Sequence, residues 1–298
     1  MIRRIGLVLF AALVIALPSG RIASAQEAHH WSYSGETGPD HWGTLEADFG
    51  TCASGQEESP IDIPSASTLN STGLEFHYAP GPLTIVNNGH TIQVNVPAGS
   101  SATIDGQRYD LAQFHFHNPS EHLVDGQNTP LELHLVHKNA AGGLAVVGVF
   151  IKEGAENAAL KSVFDNLPAE AGDPKAIDGA TVDPGALLPA DHAYWRYNGS
   201  LTTPPCSEGV KWHVMKASIE ASAGQIAAFK AIYSGNARPV LAMNARTFLT
   251  PETAAAAAVP AMLPKTGTTD PLVPSLVLVG LAFIAAGIGV ERARREAA

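Results

Sequence analysis

The chain has 298 residues, of which 45% are hydrophobic, 15% charged and 7% aromatic; this is globular composition, not that of a disordered tail or a collagen-like repeat. Its 18 Lys+Arg against 28 Asp+Glu leave a net charge of −10, and an acidic surface repels phosphate backbones, which speaks against nucleic-acid binding. Two cysteines are too few for a Cys₄ zinc module or a disulfide-dense miniprotein.

At the start of the chain, Arg3 and Arg4 precede an apolar run over 5–18, and Ala23-Ser24-Ala25 supplies the small–x–small pattern of a signal-peptidase site. This predicts a signal peptide over residues 1–25, cut after Ala25. The apolar run is short for a membrane anchor. The paired arginines keep twin-arginine export open, but two basic residues are normal in any signal and favour Sec-type export. His29 and His30, just inside the mature end, read as solvated.

Residues 26–250 form the expected folded domain, with no internal repeat. Segments 83–86, 91–96, 113–117, 131–137 and 144–151 alternate or run apolar and are punctuated by Gly, Pro, Asn and Asp, so they read as strands. Helical patterning is sparse, with 158–166 and 222–233 the best cases. The expected fold class is therefore β-dominated (α+β). A low-complexity Ala/Pro stretch over 251–262 reads as a spacer with little to bury. Leu263-Pro264-Lys265-Thr266-Gly267 follows, then an uncharged apolar segment over 272–290, then Arg292, Arg294 and Arg295. The apolar segment approaches the roughly 20 residues that span hydrocarbon, and the arginines place the terminus in the cytoplasm. The order of the three parts resembles a cell-wall sorting signal, which implies cutting between Thr266 and Gly267 by a sortase; a plain membrane anchor is the alternative.

The most informative residues are Gln113-Phe114-His115-Phe116-His117. In a strand, His115 and His117 share one face, about 7 Å apart, and the two phenylalanines share the other. A second run, Glu132-Leu133-His134-Leu135-Val136, puts His134 on the same face as Glu132 and Val136. If these strands are neighbours, three neutral imidazoles meet at one point, a donor set that suits zinc with a fourth position left for water. On spacing alone, hydrogen-bonded core histidines remain an alternative, though two of them between phenylalanines would each need a partner in an apolar setting. His122, His137 and His213 read as structural.

The blocks Asp40-His41-Trp42-Gly43, Ser59-Pro60-Ile61-Asp62-Ile63, Asn87-Asn88-Gly89-His90 and Gln113 to His117 occur in order. They are followed by Ser120-Glu121-His122, Glu132 to His137, Gly199-Ser200-Leu201-Thr202-Thr203-Pro204-Pro205-Cys206 and Asn236-Ala237-Arg238-Pro239-Val240. Together they resemble the α-class carbonic anhydrases over nearly the whole domain. The resemblance implies a single domain built on a central, mostly antiparallel twisted sheet with few short helices, and a zinc lyase that interconverts CO₂ and bicarbonate. It implies that His115, His117 and His134 hold Zn2+, with Gln113 and Glu132 orienting ligand imidazoles. Thr202 matches the residue whose hydroxyl accepts a hydrogen bond from the attacking hydroxide, and Glu121 the carboxylate that takes the Thr202 proton. Val136, Val146 and Leu201 match the apolar pocket for CO₂, with Thr203 and Trp212 beside it. His90 matches the proton shuttle, and Cys52 with Cys206 the disulfide of bacterial relatives. Asn118-Pro119 replaces a longer loop of vertebrate members, which loosens one wall without touching a ligand, and Gln93 stands where animal enzymes commonly have asparagine, which implies a change in pocket polarity and inhibitor preference; neither departure argues against activity. A non-catalytic binding module of the same fold is the competing class, and it typically lacks one of the three histidines. A zinc esterase activity would be a side reaction of the same centre.

Overall fold

Residues that alternate between apolar and polar, with branched and aromatic side chains on the apolar positions, gain most by pleating and burying one face. The computed structural model describes residues 31–250. Outside them lie the expected signal peptide, His29 and His30, the spacer, the Leu263-Pro264-Lys265-Thr266-Gly267 pentapeptide and the apolar segment 272–290. Among the described residues no helix is long and apolar enough to cross a membrane.

In chain order the strands are β1 (Asp62–Ile63), β2 (Leu74–His77), β3 (Gly81–Asn87), β4 (Ile92–Asn95), β5 (Ser101–Ile104), β6 (Gln107–His117) and β7 (Leu123–Val124). They continue as β8 (Leu131–Lys138), β9 (Leu144–Glu153), β10 (Lys175–Val182), β11 (Tyr194–Ser200), β12 (Glu208–Met215) and β13 (Ile219–Ala221). The helices are short: α1 (Trp42–Leu45), α2 (Thr51–Ser54), α3 (Lys161–Phe164) and α4 (Ala223–Lys230). One large sheet runs β10-β3-β4-β6-β8-β9-β12-β11, with β5 also paired to β6, β2 to β5 and β13 to β9. Its pairings are antiparallel except β9 with β12 and β9 with β13. This is the β-dominated fold with a mostly antiparallel sheet that the strand pattern and the resemblance imply.

The sheet buries both faces. On one, Leu83, Ile85, Val94, Phe114, Phe116, Leu133, Leu135, Val147 and Val149 form the main core, closed by Ile226 and Phe229 of α4. On the other, Val146, Phe150, Trp195, Tyr197, Trp212 and Val214 form a second cluster, against which Val136 and Leu201 pack. The functional residues sit on this second face.

Two expected helices are shorter than the pattern suggests. Segment 158–166 yields only Lys161–Phe164, because its start closes as i→i−3 turns, Leu160 N on Asn157 O and Lys161 N on Ala158 O, and Asn166 N on Val163 O closes its end. Segment 222–233 yields Ala223–Lys230, started by a capping box in which the Ser222 hydroxyl accepts from Gln225 N and the Gln225 side chain accepts from Ser222 N.

Candidate metal centre

Strands β6 and β8 are antiparallel neighbours, and His115 stands directly opposite His134 in their register. A break in that register between Leu111 and Gln113 resets the alternation. It lets Leu111, Phe114 and Phe116 all enter the main core, while Gln113, His115 and His117 turn to the other face. The ring centroids of His115 and His117 are 5.1 Å apart, those of His115 and His134 5.3 Å, and those of His117 and His134 4.6 Å. One ring nitrogen from each lies within 4.8 Å of the other two.

Hydrogen bonds decide which nitrogen each ring offers. The Gln113 amide oxygen lies 2.8 Å from His115 Nδ1. The Asn236 backbone carbonyl lies 2.7 Å from His117 Nδ1. A carbonyl oxygen only accepts, so both rings carry their proton on Nδ1 and keep a lone pair on Nε2. His117 Nε2 is buried and has no hydrogen-bond partner. Glu132 Oε1 lies 3.0 Å from His134 Nε2, which leaves Nδ1 of that ring facing the other two histidines. An orphaned buried nitrogen and three converging lone pairs are what a zinc ion would satisfy. The residues fit that metal.

Glu132 is fully buried and held from several sides. Its Oε2 accepts from the His122 backbone N–H and its Oε1 faces His122 Nδ1, each at 2.8 Å. The far side of the His122 ring meets the Tyr197 hydroxyl at 2.6 Å, and Tyr197 meets Ser59 Oγ at 2.9 Å. Burial alone would raise the Glu132 carboxyl; His122 and His134 outweigh it and hold it well below the usual carboxylate range. Burial pushes the His115 imidazole well below its ordinary value and lowers His117 too, so both are neutral, the form that ligates.

Glu121 is buried in the same place. Its Oε1 accepts from the Arg238 backbone N–H at 2.9 Å. Its Oε2 has no hydrogen-bond partner and lies 3.4 Å from His117 Nε2. Thr202, also buried, is the second residue of the loop after β11. That loop is closed by Leu201 N on Ser207 O at 3.0 Å and Cys206 N on Thr203 O at 2.8 Å. The Cys52–Cys206 disulfide pins its end, packed with Trp42. Val136 and Val146 are cross-strand partners on the face that carries His134. Trp212 stands edge-on to His134 at 4.9 Å and donates from Nε1 to Ser200 O. These residues and Leu201 make an apolar wall beside the three histidines.

His90 sits on the turn between β3 and β4, its ring stacked on Trp31 at 3.6 Å and 6°. The two line a cavity of about 340 Å³ together with Tyr33, Tyr233 and Asn236. Of the other histidines, His137 meets the Tyr78 hydroxyl at 2.6 Å and His213 is buried in the sheet.

Four residues of this centre have roles in it that sequence reasoning does not assign. His122 orients Glu132, and Asn236 orients His117 through its backbone, which no side-chain pattern reveals. Arg238 holds Glu121 by its own N–H while its guanidinium binds Glu58 and the carbonyls of Ser59 and Cys52. Gly148 stands opposite His134; a glycine inside an otherwise apolar strand run was the available signal of a close approach.

The family model for eukaryotic-type carbonic anhydrase matches residues 37–251. A carbonic anhydrase of Klebsiella pneumoniae is 45% identical over 225 residues, covering 74% of this chain and 91% of that protein. One from Nostoc sp. is 45% identical over 222 residues, covering 73% and 84%. The α-carbonic anhydrase of Thermovibrio ammonificans, solved with the inhibitor sulfanilamide, superposes with a TM-score of 0.71 at 44% identity, covering 74% of this chain and 98% of that one. With the sheet, the histidine triad and these likenesses agreeing, the chain belongs to the α-class carbonic anhydrases, lyases that hydrate CO₂.

Proposed function

We propose that the chain carries out CO₂ + H₂O ⇌ HCO₃⁻ + H⁺ with one zinc held by His115, His117 and His134, and that it does so outside the cytoplasm. The observation that carries the metal assignment is the convergence of three imidazoles, two with Nδ1 hydrogen-bonded to Gln113 and the Asn236 carbonyl and the third with Nε2 3.0 Å from Glu132 Oε1. Zinc supplies the Lewis acidity that makes water a nucleophile near neutral pH, chemistry for which carbonic anhydrase is itself the standard example.

The chain's own residues do the rest. Gln113, Glu132 and the Asn236 carbonyl fix tautomer and orientation of the ligand rings. Glu121 Oε2 is buried with no hydrogen-bond partner, and we assign it as the acceptor for the Thr202 hydroxyl. A Thr202 that donates to Glu121 must accept from the attacking oxygen, which aims that oxygen's lone pair at carbon. Val136, Val146, Leu201 and Trp212, with Thr203 at the rim, offer an uncharged substrate an apolar seat and keep bulk water away from it. His90, whose ordinary pKa is near neutrality, carries the released proton out to buffer. His90→Ala should lower kcat in weak buffer, leave kcat/KM nearly unchanged, and be rescued by imidazole; an unaltered kcat at low buffer would remove His90 from the pathway.

The location rests on the sequence of the two ends. A signal peptide over 1–25 exports the domain, and the Leu263-Pro264-Lys265-Thr266-Gly267 signal with its apolar segment and arginines hands it to a sortase, leaving it on the wall behind the spacer. Muramidase treatment of host cells should release a protein ending at Thr266 and linked to wall peptide. An intact terminus through Ala298, soluble only in detergent, would replace sorting by a membrane anchor.

A further inference from the structure

We propose that Asn236 is a positioning residue for proton exit: it ties the turn that carries His90 to the strand that carries His117. Asn236 is 2% exposed, and every polar atom it has is engaged. Its backbone N–H donates to Asn118 O at 3.1 Å and its carbonyl accepts from His117 Nδ1 at 2.7 Å. Its Oδ1 accepts from Asn118 N at 2.8 Å. Its Nδ2 spends one N–H on Phe116 O at 3.0 Å and the other on His90 O at 3.1 Å. The backbone of this one residue therefore orients a metal ligand, and its side chain holds the carbonyl of His90.

The turn itself has other supports. Asn88 Oδ1 accepts from His90 N and Thr91 N, each at 3.0 Å. Tyr233, three residues before Asn236, donates to Asn87 Oδ1. Thr91 Oγ1 donates to Phe116 O, the same carbonyl that Asn236 uses. So segment 233–236 grips the turn at both ends, and Asn236 is the grip next to the shuttle. The parallel stack of His90 on Trp31 depends on where the His90 backbone lies. Release of its carbonyl lets the ring wander, and small misplacements of a transferring group are costly. Truncation of Asn236 removes this grip, and with it the side-chain bonds to Asn118 N and Phe116 O beside His117, but keeps the backbone carbonyl that His117 needs, so zinc content tells the two roles apart.

The inference rests on the reading of His90 as the shuttle, and the test is arranged so that the two fail differently. Asn236→Ala, His90→Ala and the double variant of the full chain are compared for CO₂ hydration at low and high buffer, with zinc content measured on each. Asn236→Ala should lose roughly three- to tenfold in kcat at low buffer, a part of what positioned proton transfer contributes. Its zinc content should be retained, kcat/KM should change far less than kcat, and imidazole should restore turnover. The double variant should be no slower than His90→Ala alone, since both act through one group. A readout independent of turnover is the His90 ring Hε1 resonance in metal-free protein. The Trp31 stack shifts it upfield, and Asn236→Ala should move it back toward the value of a free imidazole. Asn236→Ser, which keeps a hydroxyl for the Asn118 N–H, carries the same comparisons should the alanine variant not fold. Parallel loss of kcat and kcat/KM without imidazole rescue, an additive double variant, or an unmoved His90 resonance would overturn the proposal. A His90→Ala enzyme with full kcat at low buffer would instead overturn the shuttle reading, even where the resonance shows that Asn236 holds the turn.

Discussion

A Cβ built on Gly148 would lie 2.9 Å from Glu132 Oε1 and 3.8 Å from the Trp212 ring, so the carboxylate that aims His134 occupies the space a side chain would need. Gly148→Ala should displace Glu132 and weaken zinc binding about 10- to 100-fold, the usual cost of disturbing a group that orients a metal ligand. A competitive chelator titration measures this, and unchanged affinity would deny Glu132 that role. At this scale the sequence was partly legible. His115, His117 and His134 announce themselves by strand alternation, and Glu132 and Gln113 by sharing their face. His122 and Asn236 do not, because their work is done across 10 and 119 positions of chain. No local pattern encodes a contact of that kind. The motif blocks in which they lie marked them as worth attention without saying what they touch.

Among the elements, the strands were legible because their periodicity is the same physics that buries them. Their lengths were not. The expected strand at 113–117 is the end of an eleven-residue β6, and the register break at Leu111/Gln113 hides the residues before it by interrupting the alternation. The helices are shorter than their patterning because both stretches keep apolar spacing beyond the point where the chain turns: the i→i−3 turn of Ile232 N on Phe229 O closes the second one. The Cys52–Cys206 bridge, implied by the resemblance, is formed and spans 154 positions. The chain-entropy model assigns a loop of that length about 5 kcal/mol, an upper figure. Its further consequence is local, since Cys206 ends the loop that begins with Leu201 and Thr202.

The whole molecule stores a pH dependence in its core. Burial holds His137 down to about 4, and burial followed by the nearby Arg196 holds His213 down to about 3. Asp105 faces His213 in opposition, and Lys211 and His137 add to the lowering. Both rings are neutral when folded, whereas an unfolded histidine takes up a proton near pH 6.5. The unfolded state then binds more protons over that interval, so stability is complete above neutrality and falls as pH drops from about 6.5 toward 4 and 3. By pH 5 each histidine costs about 2 kcal/mol of unfolding free energy. Urea unfolding at pH 7.5 and pH 5 should show the loss, and His213→Leu should shrink the difference by about 2 kcal/mol; an unchanged difference would mean His213 is not the buried base it appears in the fold.

The central claim is that hydration depends on one zinc held by three histidines, and it is tested most directly by adding zinc to metal-free protein while following CO₂ hydration by stopped flow. The rate should rise linearly and break at one zinc per chain, and the protein carrying His115→Ala, His117→Ala and His134→Ala together should show no rise. Hydration by the metal-free chain, or a normal zinc-dependent rise in the triple variant, would contradict it.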